Sequence, residues 1–579
     1  MTRAYPAPLV ISATVVALVL AVCVVLRVEF MSYGTDTGTF AVAIANAPSG
    51  MYDLGEHGSH FSYHWSPILF ALYPLLLVAR SVATLQFVQV LAVVGSIFAL
   101  YRLILPHVGD QLALRLSLLA LIYPPMIGLA FSEFHEVAFV PLLTFLLLQA
   151  VDRRWWWRYA LWAVLLLCVR EDVALILGCF GIALAVMGAR DHRRDEVYAG
   201  FATALVVGIV LWVYFHIIVW NLGGWHPAHF YDYSFSAGPF ALAASLLTYQ
   251  RLSYLLEVFV PLAFLPLRTR WALLAAPGLA IVLLANSPSV YRMGMHYVAL
   301  WLPWVLVAAA AGAASLARKS ERLALRWVNG AIALSILFLI FINPTHAAHY
   351  LSPSYHDLKA VREAFACVPR NATVATHDEW YSALALDYPH VTWHFPPQAT
   401  YAVFASDYPN KQFQTVMLPR IKTMVASGNL REICHYDQVG VYEQSTPAAQ
   451  HLPAMTVHAP KATLTLQVAM TEDQRETGLM SVTHLPEHTG MVFVFDDDAP
   501  VMFWMKDTLV PLDMVFVGAD GTVRSVAANV PVVAETTPDD QIPRRSGTGK
   551  FVIELPAGEA QKDGIVAGTK LPELVPLHT

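Results

Sequence analysis

Asp36 lies between Gly34 and Gly38 in the run SYGTDTGTF, directly after a first apolar stretch. Glycine on both sides lets backbone and carboxylate come close to a bound group. A carboxylate so placed suits general-base chemistry, taking the proton of an attacking hydroxyl. Three other segments carry ionisable side chains between apolar runs: SEFHEV (Glu133, His135, Glu136), VRED (Arg170, Glu171, Asp172) and YRMGMHY (Tyr291, Arg292, His296, Tyr297). The loop that holds Asp36 adds Asp53, Glu56, His57, His60 and His64. A charge at membrane depth costs about 3 kcal/mol on insertion scales, so such groups pair with one another or line a wet cavity. The reading is one polar cluster, with Asp36, Glu133, His135, Arg170 and Glu171 as candidates for chemistry. His64, Asp172, Arg292, His296 and Tyr297 are candidates for holding substrate.

Plainer readings stand beside this one. Arg170 with Glu171 or Asp172 could be an internal ion pair holding a helical hairpin, and Glu133 and Glu136 could be solvated loop residues. The spacing H-x-x-H-x-x-x-H at His57, His60 and His64 fits interfacial histidines better than metal ligands. No metal set stands out, and the need for a divalent ion stays open.

The elements that must position these residues are apolar. The chain has 579 residues, 57% hydrophobic and 13% charged, against roughly 25% charged in soluble domains. A net charge of −6 excludes a nucleic-acid footprint. Runs at 8–27, 84–104, 113–131, 137–151, 157–170, 173–189, 199–221, 252–267, 271–287, 296–316 and 326–343 predict about eleven spans. The first reads as an uncleaved span, since no small-residue cleavage site follows it. RRWWWR, RDHRRDE, LRTR and ARKSERLALR are basic and belong inside. That places the N-terminus in the cytoplasm of a bacterial-type membrane, and puts the Asp36 loop, SEFHEV, VRED and everything after residue 343 outside. Residues 64–80 (HWSPILFALYPLLLVAR) would invert this scheme as a span. They are expected to lie along the outer face or re-enter, with His64 and Arg80 reaching toward water.

Asp36 after the first span, followed by an H-x-x-P-I-L…Y-P-L segment, resembles the GT-C type of membrane glycosyltransferase. More closely, HWSPILFALYPL, SEFHEVAFVPLL, VREDVALIL and MHYVALWLP, in that order, resemble the family called domain of unknown function 2079. The resemblance covers roughly residues 30–310. It implies a GT-C-like fold, with Asp36 at the position of the acidic residue that serves such enzymes as base or metal ligand. No second acidic residue adjoins Asp36, where many such enzymes carry a pair, and this speaks against a metal-dependent mechanism.

The remaining chain is water-soluble in character. Residues 345–450 alternate amphipathic helices and short strands, predicting a small α/β domain. Cys367 and Cys434 lie in it and could pair in an oxidising compartment or stay as thiols. Asn371-Ala-Thr is a glycosylation sequon by pattern, and His377, Asp378 and Glu379 fit a loop after a strand better than a catalytic set. Residues 455–579 predict a small, mainly β module. Thr471 and Gln474 have capping-box spacing, Asp520-Gly521 signals a hairpin, and GMVFVFD and VMFWMKDTL read as two strands. The blocks RETGLM, GMVFVF, FWMKDTLVPLDMVF and VIELPAG resemble the domain of unknown function 192. Here Arg475, Trp504, Lys506 and Asp513 are ligand candidates, the alternative being a structural salt bridge; alternation puts Trp504 and Lys506 on one face.

The domains read as 1–344, 345–450 and 455–579. The functional expectation is an inverting envelope glycosyltransferase using a polyprenyl-phosphate sugar, with membrane lipid as partner. Alternatives are a non-catalytic membrane scaffold presenting the C-terminal module, or a transporter or flippase of lipid-linked or small polar solutes. Neither the sugar nor the oligomeric state is legible.

Overall fold

The structure is a computed structural model that describes residues 4–53, 58–219, 246–343, 345–351, 358–370, 372–388, 390–392, 400–408, 410–411, 413–426, 430–444, 449–482, 484–533, 542 and 544–577. Glu56, His57 and Asn371 lie outside them. The chain forms two units: residues 1–358 with 377–393, and residues 359–376 with 394–579. Residues 377–393 thus group with the helical unit, although the residues on either side of them in sequence belong to the other.

The first unit is helical. Each apolar run counted in the sequence holds a helix. Among the described residues five helices are long and apolar enough to cross a membrane: Ala7–Glu29, Val82–Val108, Glu171–Arg190, Arg194–Ile218 and Glu321–Phe341. A sixth span would combine Asp110–Leu121 with Pro124–Phe131, bent by 49°. Pro124 and Pro125 account for the bend, since neither can donate to the preceding turn. Helix Ala7–Glu29 exposes Ile11, Val15, Leu18, Val22 and Val25, an apolar face that suits lipid. Val82–Val108 is the central helix and buries Gln86, Gln89 and Ser96. Arg154 and Trp156 both bond Asp195, at 2.5 and 3.0 Å, so the loops RRWWWR and RDHRRDE lie side by side.

Four shorter helices share one construction. Tyr73–Val78, Val140–Asp152, Ala276–Leu284 and Leu302–Ala317 each begin with proline in the first turn and follow a 3-10 turn. The proline ring would clash with the carbonyl four residues earlier, so the preceding turn cannot be α-helical. Two of these turns, Glu136–Phe139 and His296–Leu300, carry candidate site residues.

Residues 67–78 form a 12-residue helical segment, too short for a bilayer core of about 30 Å. Leu69, Leu72 and Leu76 are buried beside Phe40 and Ile44, while Phe70, Leu75, Leu77 and Val78 are exposed. Arg80 is exposed and His64 half-buried, so both reach toward water while each also holds a protein partner. His64 Nδ1 lies 2.9 Å from Glu171 Oε1, and Arg80 donates to the Leu386 carbonyl at 2.8 and 3.0 Å.

In the second unit, strands order as Thr373–Thr376, Tyr401–Ala405, Val439–Gln444 and Leu430–Tyr436, the first pair parallel and the others antiparallel. Strand Leu430–Tyr436 was not anticipated; five of its seven side chains are at least partly polar or charged, which hides its alternation. Cys367 and Cys434 form a disulfide. The C-terminal module is a six-stranded sheet ordered Val523–Val530, Leu512–Val517, Arg544–Pro556, Thr489–Trp504, Thr463–Ala469 and Ala454–His458. The capping box at Thr471 and Gln474 is present, and Gly521 adopts φ +72° in the expected hairpin. The two strands predicted on either side of Asp496–Asp498 are one strand, Thr489–Trp504, whose register shifts between Val494 and Ala499. It ends at Trp504, so Lys506 lies in a turn and the predicted alternation through Lys506 fails.

Candidate functional site

The short helix Thr35–Ala45 carries Asp36 in its first turn. Its N-cap is Gly34, which has no side chain to bond the free backbone N–H groups. Glu133 does this from a distance. Its Oε1 accepts from Gly34 N at 2.5 Å, and its Oε2 accepts from Thr37 N at 3.1 Å and Thr37 Oγ1 at 3.3 Å. A carboxylate is also favoured at a helix N-terminus by the aligned peptide dipoles. The flanking glycines have a reason other than ligand approach. A Cβ at residue 34 would lie 2.7 Å from Glu133 Oε1, and one at residue 38 would lie 2.4 Å from the Tyr381 ring. Helix Asp378–Leu384 thus packs on the Asp36 helix, and the Tyr381 hydroxyl bonds the buried Asp53 carboxylate at 3.2 and 3.3 Å.

Gln89 of the central helix fixes the SEFHEV loop. Its amide donates to Leu129, Ser132 and Glu133 carbonyls at 3.0–3.2 Å, and its oxygen accepts from His135 N at 3.0 Å. His135 and His296 are both buried, and their rings stack with centroids 3.4 Å apart. His296 in turn packs on Tyr297 at 4.0 Å, and Phe40 meets the other side of His135 at 5.2 Å. His135 Nε2 lies 3.5 Å from Asp36 Oδ2, while its Nδ1 lies 3.2 Å from the Glu133 carbonyl. Burial holds the His135 imidazole down at about 4. Burial, reinforced by the Asp36 charge, pushes the Glu133 carboxyl up to about 7.

Asp36, Glu133, His135, Arg292 and His296 line one cavity of about 580 Å³, together with Arg27. Arg27 was not singled out in the sequence. It sits in the last turn of the first span, buried, donating to the Phe131 carbonyl at 2.6 Å and stacking 3.9 Å from the Tyr33 ring. A lone arginine closing an apolar run was the available signal.

The VRED residues lie elsewhere. Arg170 donates to Asp172 through Nε at 3.0 Å and Nη2 at 2.6 Å, a two-pronged pair, and its Nη1 lies 3.6 Å from Glu136. Glu171 accepts from Trp65 N at 2.9 Å and faces His64. Arg170, Glu171, Asp172, His64 and Tyr297 are not among the cavity's lining residues. They form the layer around His135 and His296. His60 is buried against Phe40, and His377 against Trp380.

In the C-terminal module Trp504 and Lys506 come together, while Arg475 and Asp513 take other partners. Lys506 Nζ and Arg544 Cζ lie 5.1 and 5.7 Å from the Trp504 ring centroid. Arg475 donates to the Met470 and Val494 carbonyls and lies over Phe495. Asp513 is buried, accepting from Asn529 N at 2.7 Å and Ala560 N at 2.9 Å, so it ties the sheet to the helix Glu559–Lys562.

Residues 455–572 match the family DUF192, described as an uncharacterized ACR. Two solved structures are each 31% identical with a TM-score of 0.19. One, a candidate transcription regulator from Sinorhizobium meliloti 1021, is covered over 96% of its length by 21% of this chain. The other, a protein of unknown function from Novosphingobium aromaticivorans DSM 12444, is covered over 91% by 22% of this chain. ArnT from Cupriavidus metallidurans, solved bound to undecaprenyl phosphate, is 11% identical with a TM-score of 0.45, covering 75% of this chain and 97% of its own. No curated protein matches this chain in sequence. Residues 33–424, more than half of the chain, match the family DUF2079, described as a predicted membrane protein, and the chain belongs to that family.

Proposed function

We propose that the protein is a GT-C-type inverting glycosyltransferase that takes a sugar from a polyprenyl-phosphate carrier at the outer face of the cytoplasmic membrane. The observation that carries this reading is the half-exposed Asp36 carboxylate on the wall of a cavity that also holds Arg27 and Arg292. A volume of about 580 Å³ lies within the range of small-ligand sites.

In the reaction, an acceptor hydroxyl attacks the anomeric carbon of the donor. Its proton passes to Asp36 as the new C–O bond forms. The bond from the anomeric carbon to the phosphate oxygen breaks, and its electron pair leaves with the polyprenyl phosphate. Arg292 offers a planar, permanently charged fork for that phosphate. Arg170 cannot share this role, since its guanidinium is occupied by Asp172 and Glu136. The Cys367–Cys434 disulfide supports the outward placement, because such bonds persist in oxidising compartments.

The test is transfer of radiolabelled sugar from a polyprenyl-phosphate donor in membranes carrying Asp36→Asn. A positioned base contributes about 10²–10⁴-fold, so transfer should fall at least about 100-fold at unchanged protein level. Transfer at the unaltered rate would remove Asp36 from the chemistry and the proposal with it.

A further inference from the structure

One wall of the cavity belongs to the helix Tyr249–Phe259, which contributes Tyr249, Gln250, Ser253, Tyr254 and Glu257. This helix has three faces. Arg251, Tyr254 and Val258 are buried and anchor it. Arg251 donates to the Leu283 and Ala285 carbonyls at 2.6 and 2.8 Å, Tyr254 Oη accepts the Trp301 indole N–H at 2.8 Å, and the Val258 carbonyl accepts the Tyr123 hydroxyl at 2.7 Å. Leu252 and Leu256 are exposed on a second face, apolar as a lipid contact requires. Gln250, Ser253 and Glu257, at i, i+3 and i+7, share the third face and meet the cavity.

Glu257 is the residue that needs explaining. It stands inside the apolar run 252–267, where an ionisable side chain is costly and marks a functional position. Among the described residues no cation pairs with it, and its hydrogen bond comes from Ser253 Oγ at 3.2 Å. A carboxylate offers about four lone-pair sites, so most of its accepting capacity remains for a ligand. Gln250, two turns earlier on the same face, adds an amide that both donates and accepts. The buried bonds of Arg251, Tyr254 and Val258 hold this face in position before any ligand arrives, which lowers the ordering cost of binding.

We infer that this face recognises the sugar of the donor, with the Glu257 carboxylate accepting from sugar hydroxyls and Gln250 bonding a further one. The inference rests on the transferase reading and adds which residues select the sugar. Charge divides the cavity between the two ends of such a ligand. A carboxylate repels a phosphate, which belongs with Arg292, and it accepts readily from the O–H donors that a sugar carries. A wall built to hydrogen-bond hydroxyls also discriminates strongly against an analogue that lacks them, because its own polar groups are then left unpaired. Glu257 and Gln250 are therefore specificity-determining residues, and Asp36 keeps the chemistry.

The test measures the affinity of the full chain, in lipid nanodiscs, for undecaprenyl phosphate and for the same carrier bearing glucose, mannose, galactose or arabinose. The unaltered chain should bind at least one sugar-bearing carrier more tightly than the bare one. Loss of a hydrogen bond to a charged group corresponds to about 10–100-fold. Glu257→Ala should therefore weaken binding of that sugar-bearing carrier at least about 10-fold and leave the bare carrier's affinity unchanged, which also shows that the variant is folded. Glu257→Gln, of the same shape and still an acceptor, should recover part of the loss. Leu252→Ala, on the exposed face, should change neither affinity. Three results would overturn the inference and leave the transferase reading standing: full sugar preference in Glu257→Ala, an equal loss for bare and sugar-bearing carriers in that variant, or no preference for any sugar-bearing carrier in the unaltered chain. Failure of the unaltered chain to bind any carrier would overturn the transferase reading itself, and this inference with it.

Discussion

Glu133 caps the helix that presents Asp36: its carboxylate accepts the Gly34 N–H at 2.5 Å and the Thr37 N–H at 3.1 Å. The carboxylate that looked like a second catalytic acid holds the first one in place. Gly34→Ala would set a Cβ 2.7 Å from Glu133 Oε1 and force the cap apart. Losing a cap costs about 1 kcal/mol and leaving buried N–H groups unmet about 1–3 kcal/mol. Both Gly34→Ala and Glu133→Ala are expected to lower the unfolding temperature of the purified chain and to reduce sugar transfer. If Glu133 instead acted only in chemistry, Glu133→Ala would lose transfer with no change in thermal unfolding.

Arg170 faces two carboxylates, Asp172 and Glu136, the latter fully buried with neither oxygen hydrogen-bonded among the described residues. Removing one partner of a buried ion pair costs about 3–5 kcal/mol. Arg170→Ala should therefore accumulate poorly in membranes, and adding Glu136→Gln should restore part of the loss. Fluorescence-detected size exclusion reads both. Equal accumulation of Arg170→Ala and the unaltered chain would refute the structural role.

Glu554 lies in the C-terminal sheet between Met491 and Met514, its cross-strand partners. Burial alone pushes its carboxyl up to about 8. The unfolded chain ionises this group near 4.5, so between about pH 4.5 and 8 the folded state binds more protons. Stability of the module then falls as pH rises through that window, by about 1.4 kcal/mol per unit. Glu554→Gln should remove that slope and slow amide exchange of strand Arg544–Pro556 at pH 7. A variant with the same pH dependence as the unaltered chain would show that another group is responsible.

The Cys367–Cys434 bond predicts that intact cells yield no maleimide labelling of either cysteine until a reductant is added. Replacing both by serine should destabilise the α/β segment by about 2–4 kcal/mol, read as faster proteolysis there. Labelling without reductant would place this segment in a reducing compartment and withdraw the support for the outward topology.

Much of the architecture was legible because its cause is local. Apolar runs marked the helices. The pairing of Arg170 with Asp172 was also within reach, since a single residue separates them. The lengths of the shorter helices were less so. A hydropathy pattern runs straight through a 3-10 turn, and the turn arises from a proline clash that hydropathy does not register. The single strand Thr489–Trp504 looks like two in sequence because three aspartates interrupt the pattern at its register shift.

Composition and periodicity by themselves pointed to a membrane protein with several apolar helices, and to which ionisable residues are costly enough to need partners. Which partner each one takes was decided only in three dimensions. Glu133 went to a helix end, His64 to Glu171, and His135 to Asp36. The reason is that a side chain's burial cost is a property of its own type, readable in one dimension. The neighbour that offsets that cost is chosen by packing between segments whose separation along the chain carries no record of their proximity.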